Sequence, residues 1–259
     1  MAASKGSSQA DAAPMIEIVD LFKSFNGTTV LSGINLKVPA GSTLVILGGS
    51  GSGKTVMMKH MIGLLKPDSG KVIVDGEDIV PLGPEQLEIV RRKFGMVFQA
   101  AALFDSMTVY ENVSFPLKEH RKDLKEDAIR ELVAQKLAIV GLKKVEQKYP
   151  ADLSGGMRKR VGLARAIVMD PKIVLYDEPT TGLDPITTDY VDEMILDAKK
   201  ELGVTSVVIS HDIASAFKVA DNIAFLYQGV IVAQGTGEQL RKSEHPGLKL
   251  FLQTWFGKN

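Results

Sequence analysis

The sequence contains no cysteine. A disulfide framework and cysteine-ligated zinc or iron–sulfur centres are thereby excluded, and a reducing compartment is the matching environment. Neither charge sign is in excess, since 31 Lys plus Arg balance 31 Asp plus Glu, so charge does not point to a nucleic-acid partner. No apolar run approaches the roughly 18 residues that a bilayer-spanning helix needs. The first 14 residues, MAASKGSSQADAAP, lack the apolar core of a secretion signal. They read as a disordered leader or a cloning remnant, and a soluble, cytoplasmic protein is expected. Internal repeats are absent as well. What the chain does have is 45% hydrophobic residues in a length of 259, enough to bury the core of one large α/β domain or of a domain with a subdomain.

Loosely alternating segments at 15–21 and 30–38 flank Asn26-Gly27, a hairpin signal. Leu44-Val45-Ile46-Leu47 is a short, fully apolar strand, 72–74 reads as an edge strand before an Asp75-Gly76 turn, and 96–98 is a further strand. Met57, Met61, Leu64 and Leu65 fall at helical spacing and end near Lys66-Pro67. From about residue 100 to 160 the pattern turns helical, with one helix over 123–140 closed by Gly141 and a second over 154–169. Strands at 173–176 and 207–210, a helix over 189–202 and a hairpin over 224–233 complete the pattern. Short apolar strands alternating with helices predict a mostly parallel, doubly wound sheet with an inserted helical subdomain.

Between the strand at 44–47 and the helix that follows lies GGSGSGKT, comprising Gly48, Gly49, Ser50, Gly51, Ser52, Gly53, Lys54 and Thr55. It fits G-x-x-x-x-G-K-[ST] in the strand–loop–helix context that this phosphate-binding motif requires. A loop nearly free of side chains lets backbone N–H groups wrap polyphosphate oxygens, and the start of the next helix adds its dipole. Lys54 would bridge the β- and γ-phosphates, and the Thr55 hydroxyl would take a Mg²⁺ position. The apolar strand at 173–176 ends in Asp177 and Glu178, which places two carboxylates at the sheet edge where ligands of α/β folds bind. Asp177 would hold Mg²⁺ through water, and Glu178 would act as general base toward the attacking water. Gln99 and His211 each follow a strand at the same edge. Taken singly, either is more often a structural hydrogen bonder; only the company of the loop and the acidic strand places Gln99 with Thr55 and Asp177 at the metal, and His211 with Lys54 and Glu178 among the catalytic groups.

A second candidate anion site opens the helix at 154. Ser154 is a good N-cap, and capping explains the serine but not Gly155 and Gly156, since glycine costs about 1 kcal/mol in a helix interior. Taken in order, the phosphate loop, Gln99, Leu153-Ser154-Gly155-Gly156-Met157, the acidic strand, Thr181-Gly182-Leu183-Asp184 and His211 resemble the ATP-binding subunit of an ABC transporter, from Ile16 to about Leu240. The resemblance implies a RecA-like core over 15–99 and 161–235 with an N-terminal antiparallel β region, a helical subdomain over 100–160 and a helical tail over 236–259. It implies Mg²⁺-dependent ATP hydrolysis by a head-to-tail pair of copies. Ser154, Gly155, Gly156 and Met157 would cover the partner's ATP, with Asp184 at the seam. Phe25 matches the family's aromatic that stacks on adenine, and an integral-membrane permease is the implied partner.

Two departures are visible. Met157 stands where glutamine is usual, and Val56 stands where a hydroxyl residue is usual, so one contact to the α-phosphate is lost. Residues 53–56, 103–109 and 154–160 are similar to bacterial Mla- and Mce-type lipid-transport ATPases. That similarity implies a phospholipid or other lipid cargo, the cytoplasmic face of the inner membrane, an Mce-domain subunit and a small STAS-type regulator. Leu103, Phe104, Met107, Val109 and Tyr110 are expected to line a groove for a permease helix, with ordinary subdomain core as the competing reading. Leu248, Leu250, Phe251, Leu252, Trp255 and Phe256 form a terminal apolar cluster, either packed on their own domain or touching a partner. A DNA-repair or chromosome ATPase would carry long coiled-coil or zinc-bearing insertions, which are missing between Lys54 and Ser154. A GTP switch would carry N-K-x-D, which does not occur. Another importer, or envelope remodelling without transport, stays open.

Overall fold

The computed structural model describes residues 13–256, with side chains through Gln253. The leader expected over 1–14 therefore lies almost wholly outside the described residues, and Pro14 already belongs to the first strand. Strands β1 (Pro14–Phe25) and β2 (Thr28–Pro39) pair antiparallel about the Asn26-Gly27 turn, where both residues have positive φ. After β3 (Thr43–Leu47) and helix α1 (Lys54–Met61), β4 (Ser69–Val74) pairs with β1, and the two-residue β5 (Glu77–Asp78) pairs with β4. The resulting four-stranded sheet has the order β2-β1-β4-β5. The strand expected at the edge, 72–74, is thus covered on its outer side by β5.

Helix α2 (Pro84–Arg91) precedes β6 (Phe94–Val97), and α3 (Val109–His120), α4 (Glu126–Ile139) and α5 (Gly155–Ile167) follow. Then come β7 (Ile173–Asp177), α6 (Pro185–Leu202), β8 (Thr205–Ser210), α7 (Ile213–Val219), β9 (Asn222–Tyr227), β10 (Val230–Gly235), α8 (Gly237–Arg241) and α9 (Pro246–Phe256). The second sheet has the order β10-β9-β3-β8-β7-β6 and is parallel except for the β9–β10 hairpin.

Residues alternate between its two faces. Leu44, Ile46, Ile173, Leu175, Val207 and Ile209 pack toward α1, α2 and the four-stranded sheet. Val45, Leu47, Val174, Tyr176 and Val208 pack toward α3–α7. With both faces covered, the central strands carry no polar alternation, which is why they read as unbroken apolar runs.

Helices α2 and α3 are additions to the sequence-based expectation. The N-terminus of α3 carries a capping box, with Thr108 Oγ1 accepting from Glu111 N at 3.2 Å and Glu111 Oε2 accepting from Thr108 N at 2.7 Å. The register of α3 corrects the expected groove. Val109 is 0% and Tyr110 8% exposed, so both are core, while Leu103 is half-buried against that core. The expected boundary at 160 falls inside α5, which runs unbroken to Ile167. The α6 helix begins four residues before the expected 189, because Asp184 caps it and Pro185 occupies its first position. In the terminal cluster Leu248 and Leu252 are buried and Leu250 is exposed. The side chains of Trp255 and Phe256 lie outside the described ones.

Candidate active site

Parallel strands bring their C-terminal ends to one edge of the sheet, and β3, β6, β7 and β8 each deliver a segment there. The β3 segment is the glycine loop. At Gly48 a Cβ would stand 2.4 Å from the Leu226 carbonyl oxygen of β9 and 2.7 Å from Ser52 Oγ, so the loop lies flat against the neighbouring strand. Lys54, only 7% exposed, folds back over the loop: its Nζ donates to Gly48 O at 2.8 Å and Gly49 O at 3.1 Å. Ser52 Oγ is buried without a hydrogen-bond partner among the described atoms.

Glu178 follows β7 in a left-handed conformation (φ 50°) that costs a non-glycine residue of order 1 kcal/mol or more. That backbone turn, tied by Glu178 N donating to Ile209 O at 2.9 Å, aims the carboxylate across the strand ends. Its Oε2 accepts from Thr181 Oγ1 at 2.8 Å and from His211 Nδ1 at 2.7 Å. Its Oε1 lies 3.6 Å from Lys54 Nζ. Beside it, burial and then the Glu178 charge push the half-buried Asp177 carboxyl up, opposed by Lys54 and Lys59. A carboxylate so placed gains from a cation. No cluster of three or more His, Asp or Glu that could cage a metal occurs among the described residues. Of the residues read as metal ligands, Thr55 and Gln99 line the cavity beside Glu178, whereas Asp177, next to Glu178 in sequence, does not.

A cavity of about 710 Å³ is lined by residues 49–56 together with Val30, Gln99, Glu178, Thr181, His211, Ile213 and Phe251. It joins Gly49, Ser50, Gly51, Ser52, Gly53, Lys54, Thr55 and Val56 with Gln99, Glu178 and His211, all read from the sequence. Phe25 does not line it. Its ring is 41% exposed at the end of β1, with Lys23 Nζ 5.3 Å from the ring centroid. The second glycine segment is also elsewhere. Ser154 Oγ caps α5 by accepting from Met157 N at 3.3 Å. Asp184 Oδ1 caps α6 by accepting from Ile186 N and Thr187 N, each at 3.0 Å. With Thr187 these bonds hold the Asp184 carboxyl below its ordinary value. A Cβ at Gly156 would stand 3.9 Å from Thr187 Cγ2, so the two helix starts form one patch. Met157 packs on the core, an apolar role that glutamine would fill poorly.

Several contacts escaped the sequence reading. Ala101 (φ 61°) and Ala102 (φ 48°) follow Gln99 in consecutive left-handed conformations, and Arg165 of α5 donates to both carbonyls at 2.8 Å. Lys159, buried in the same helix, donates to the Pro179 carbonyl next to Glu178. The second glycine helix is thus fastened to the segments after both Gln99 and Glu178. The signals were an arginine and a lysine in a helix, too common to single out.

The family model described as ABC transporter matches residues 31–181. The intermembrane phospholipid transport system ATP-binding protein MlaF of Haemophilus influenzae is 38% identical over 92% of this chain and 90% of its own length. The probable ribonucleotide transport ATP-binding protein mkl of Mycobacterium tuberculosis is 45% identical over 92% of this chain, which spans only 66% of that protein. Among solved structures, the dimeric ATP-binding cassette MJ0796 bound to ADP and Pi superposes with a TM-score of 0.76 at 31% identity, over 86% of this chain and 98% of that one. A family model covering more than half of the chain, and a relative aligned over nearly its full length, place this protein in the ABC transporter family as one of its ATP-binding subunits.

Proposed function

We propose that the chain hydrolyses Mg²⁺-ATP as one of two head-to-tail copies and so drives a permease that moves phospholipid or another lipid at a bacterial envelope. The observation that supports this best is the convergence of Lys54, Glu178 and His211 on one glycine-walled cavity. Mg²⁺ bound by Thr55, Asp177 and Gln99 would neutralise charge on the transferring phosphoryl group. Lys54, already poised over the loop, binds the β- and γ-phosphate oxygens as a point charge. Glu178 takes the proton from the attacking water. His211 and Thr181, both on Oε2, fix the carboxylate's orientation, and Oε1 faces Lys54. Strain at Glu178 serves the same end by holding the base in one pose.

The remaining motif residues, Ser154, Gly155, Gly156, Met157 and Asp184, share a patch that does not line their own chain's cavity. That separation supports a second copy supplying them to close the nucleotide in. Phe25 would add an adenine stack from its exposed position. The helical segment over 100–160 would carry the movement to the permease, which docks in a groove of about 510 Å³ lined by Met96, Phe98, Phe104, Phe115, Met169 and Arg165 among others. No helix among the described residues is long and apolar enough to cross a membrane; the placement as a peripheral subunit at the cytoplasmic face is by analogy with the lipid-transport relatives. An Mce-domain subunit and a STAS-type regulator complete the assembly, by analogy with the lipid-transport relatives. The cargo follows the name of the Haemophilus protein; the mycobacterial one is named for ribonucleotides.

The test is Glu178→Gln. Hydrolysis should fall on the order of 100-fold or more, while Mg²⁺-ATP still binds and shifts the chain from monomer to dimer in light scattering. Undiminished turnover would remove Glu178 from the general-base role.

A further inference from the structure

One wall of the nucleotide cavity comes from a segment far from every phosphate-binding motif. Phe251, in the C-terminal helix α9, lines it beside Ile213, His211 and the glycine loop. Its ring packs on Phe225 of β9 at a centroid distance of 5.1 Å, and Phe225 is 1% exposed. Leu248 (0% exposed), one turn before it, and the adjacent Leu252 (7%) sink into the main core and set the helix's rotation. The start of α9 is equally close: a Cβ at Gly247 would stand 3.1 Å from the Tyr227 ring. The β9 segment Phe225-Leu226-Tyr227 therefore carries α9 on its side chains and the glycine loop on its backbone, through Leu226 O against Gly48.

We propose that α9 is a structural part of the nucleotide pocket, with Phe251 as a positioning residue, so that docking of α9 and occupancy of the glycine loop are thermodynamically linked. This rests on the reading of the cavity as an ATP site. A helix of 11 residues is marginal on its own in water, so α9 exists by virtue of its docking on β9 and α8. It is therefore an element whose population a ligand can shift. Nucleotide packed in the cavity adds a neighbour for Phe251 and holds the Gly48–Leu226 contact in place. The linkage is reciprocal: a bound nucleotide steadies α9, and an undocked α9 weakens nucleotide binding by the same factor.

The experiment combines amide hydrogen exchange over residues 248–253 with calorimetric binding of Mg²⁺-ATP, on the full chain. In the wild type, saturating Mg²⁺-ATP should slow exchange in α9 several-fold. Phe251→Ala should weaken Mg²⁺-ATP binding about three- to tenfold and abolish the slowing, whereas Phe251→Leu, which keeps an apolar wall, should bind within about twofold of wild type. Leu250→Ala, on the exposed side of α9, should change neither readout. If the wild type binds Mg²⁺-ATP with no change in α9 exchange, or if Phe251→Ala binds as tightly as wild type, the linkage is wrong and the ATP reading stands. If the wild type binds no Mg²⁺-ATP, the ATP reading falls and the linkage with it. Exchange on the wild type alone decides the matter should Phe251→Ala fail to fold.

Discussion

Three chemically identical substitutions in the glycine loop should behave differently, because the loop's glycines are there for different reasons. At Gly48 the added methyl would stand 2.4 Å from Leu226 O, and real Cβ contacts essentially never fall under 3.0 Å. The gap between those distances, at least 0.6 Å, must come from backbone on both sides. Leu226 cannot yield easily, since it is paired with Ile231 of β10 while its neighbour Phe225 is paired with Leu47 of β3. Overpacking of this kind costs about 1–3 kcal/mol. Gly51 has open space around its Cβ position but a φ of +75°, so alanine there costs roughly 1 kcal/mol. Gly49 has neither obstacle, so alanine should cost about nothing, or stabilise by a few tenths of a kcal/mol through the unfolded state. Urea unfolding of the nucleotide-free protein should rank the losses Gly48→Ala, then Gly51→Ala, then Gly49→Ala. Calorimetry should show Gly48→Ala losing about tenfold in Mg²⁺-ATP affinity, the loop having been pushed off β9. Equal stability losses at 48 and 49 would refute the account of why the loop lacks side chains.

Two further outcomes are expected. Asp192 is 3% exposed, and burial pushes its carboxyl up to about 6 despite the Ser215 hydroxyl that donates to it. Because this pKa is raised on folding, the stability that the protonated acid contributes is complete below about pH 4 and is lost as pH rises through about 6. That pKa gap corresponds to about 3 kcal/mol, so Asp192→Asn should gain on wild type in urea unfolding between pH 4 and 7; parallel profiles would contradict the burial argument. Phe104 is 43% exposed, with its ring 5.1 Å from Phe115 and 5.8 Å from the Arg165 guanidinium carbon. Phe104→Asp should abolish co-purification with the membrane permease while ATP hydrolysis by the free subunit stays within about twofold, and intact assembly would move the docking surface elsewhere.

The sequence alone marked the residues to which the chemistry of the cavity is assigned. The glycine loop with Lys54 and Thr55, and the apolar strand ending in Asp177 and Glu178, are legible because their function demands particular residue types at fixed spacing beside strands whose burial on both faces makes them unmistakable. Local signals likewise placed the hairpin about Asn26-Gly27 and the caps at Ser154. Long-range contacts were not legible, since they depend on which strands become neighbours. Only the tertiary structure set β9 between the glycine loop and α9, brought Phe251 to the cavity, and turned Val109 and Tyr110 inward where a groove was expected. It also bound His211 to Glu178 and tied α5 to the segments after Gln99 and Glu178. Above all, it set Ser154, Gly155 and Gly156 apart from the cavity of their own chain. Spacing along a chain carries no information about that distance; the packing of α5 against α6 and the sheet does.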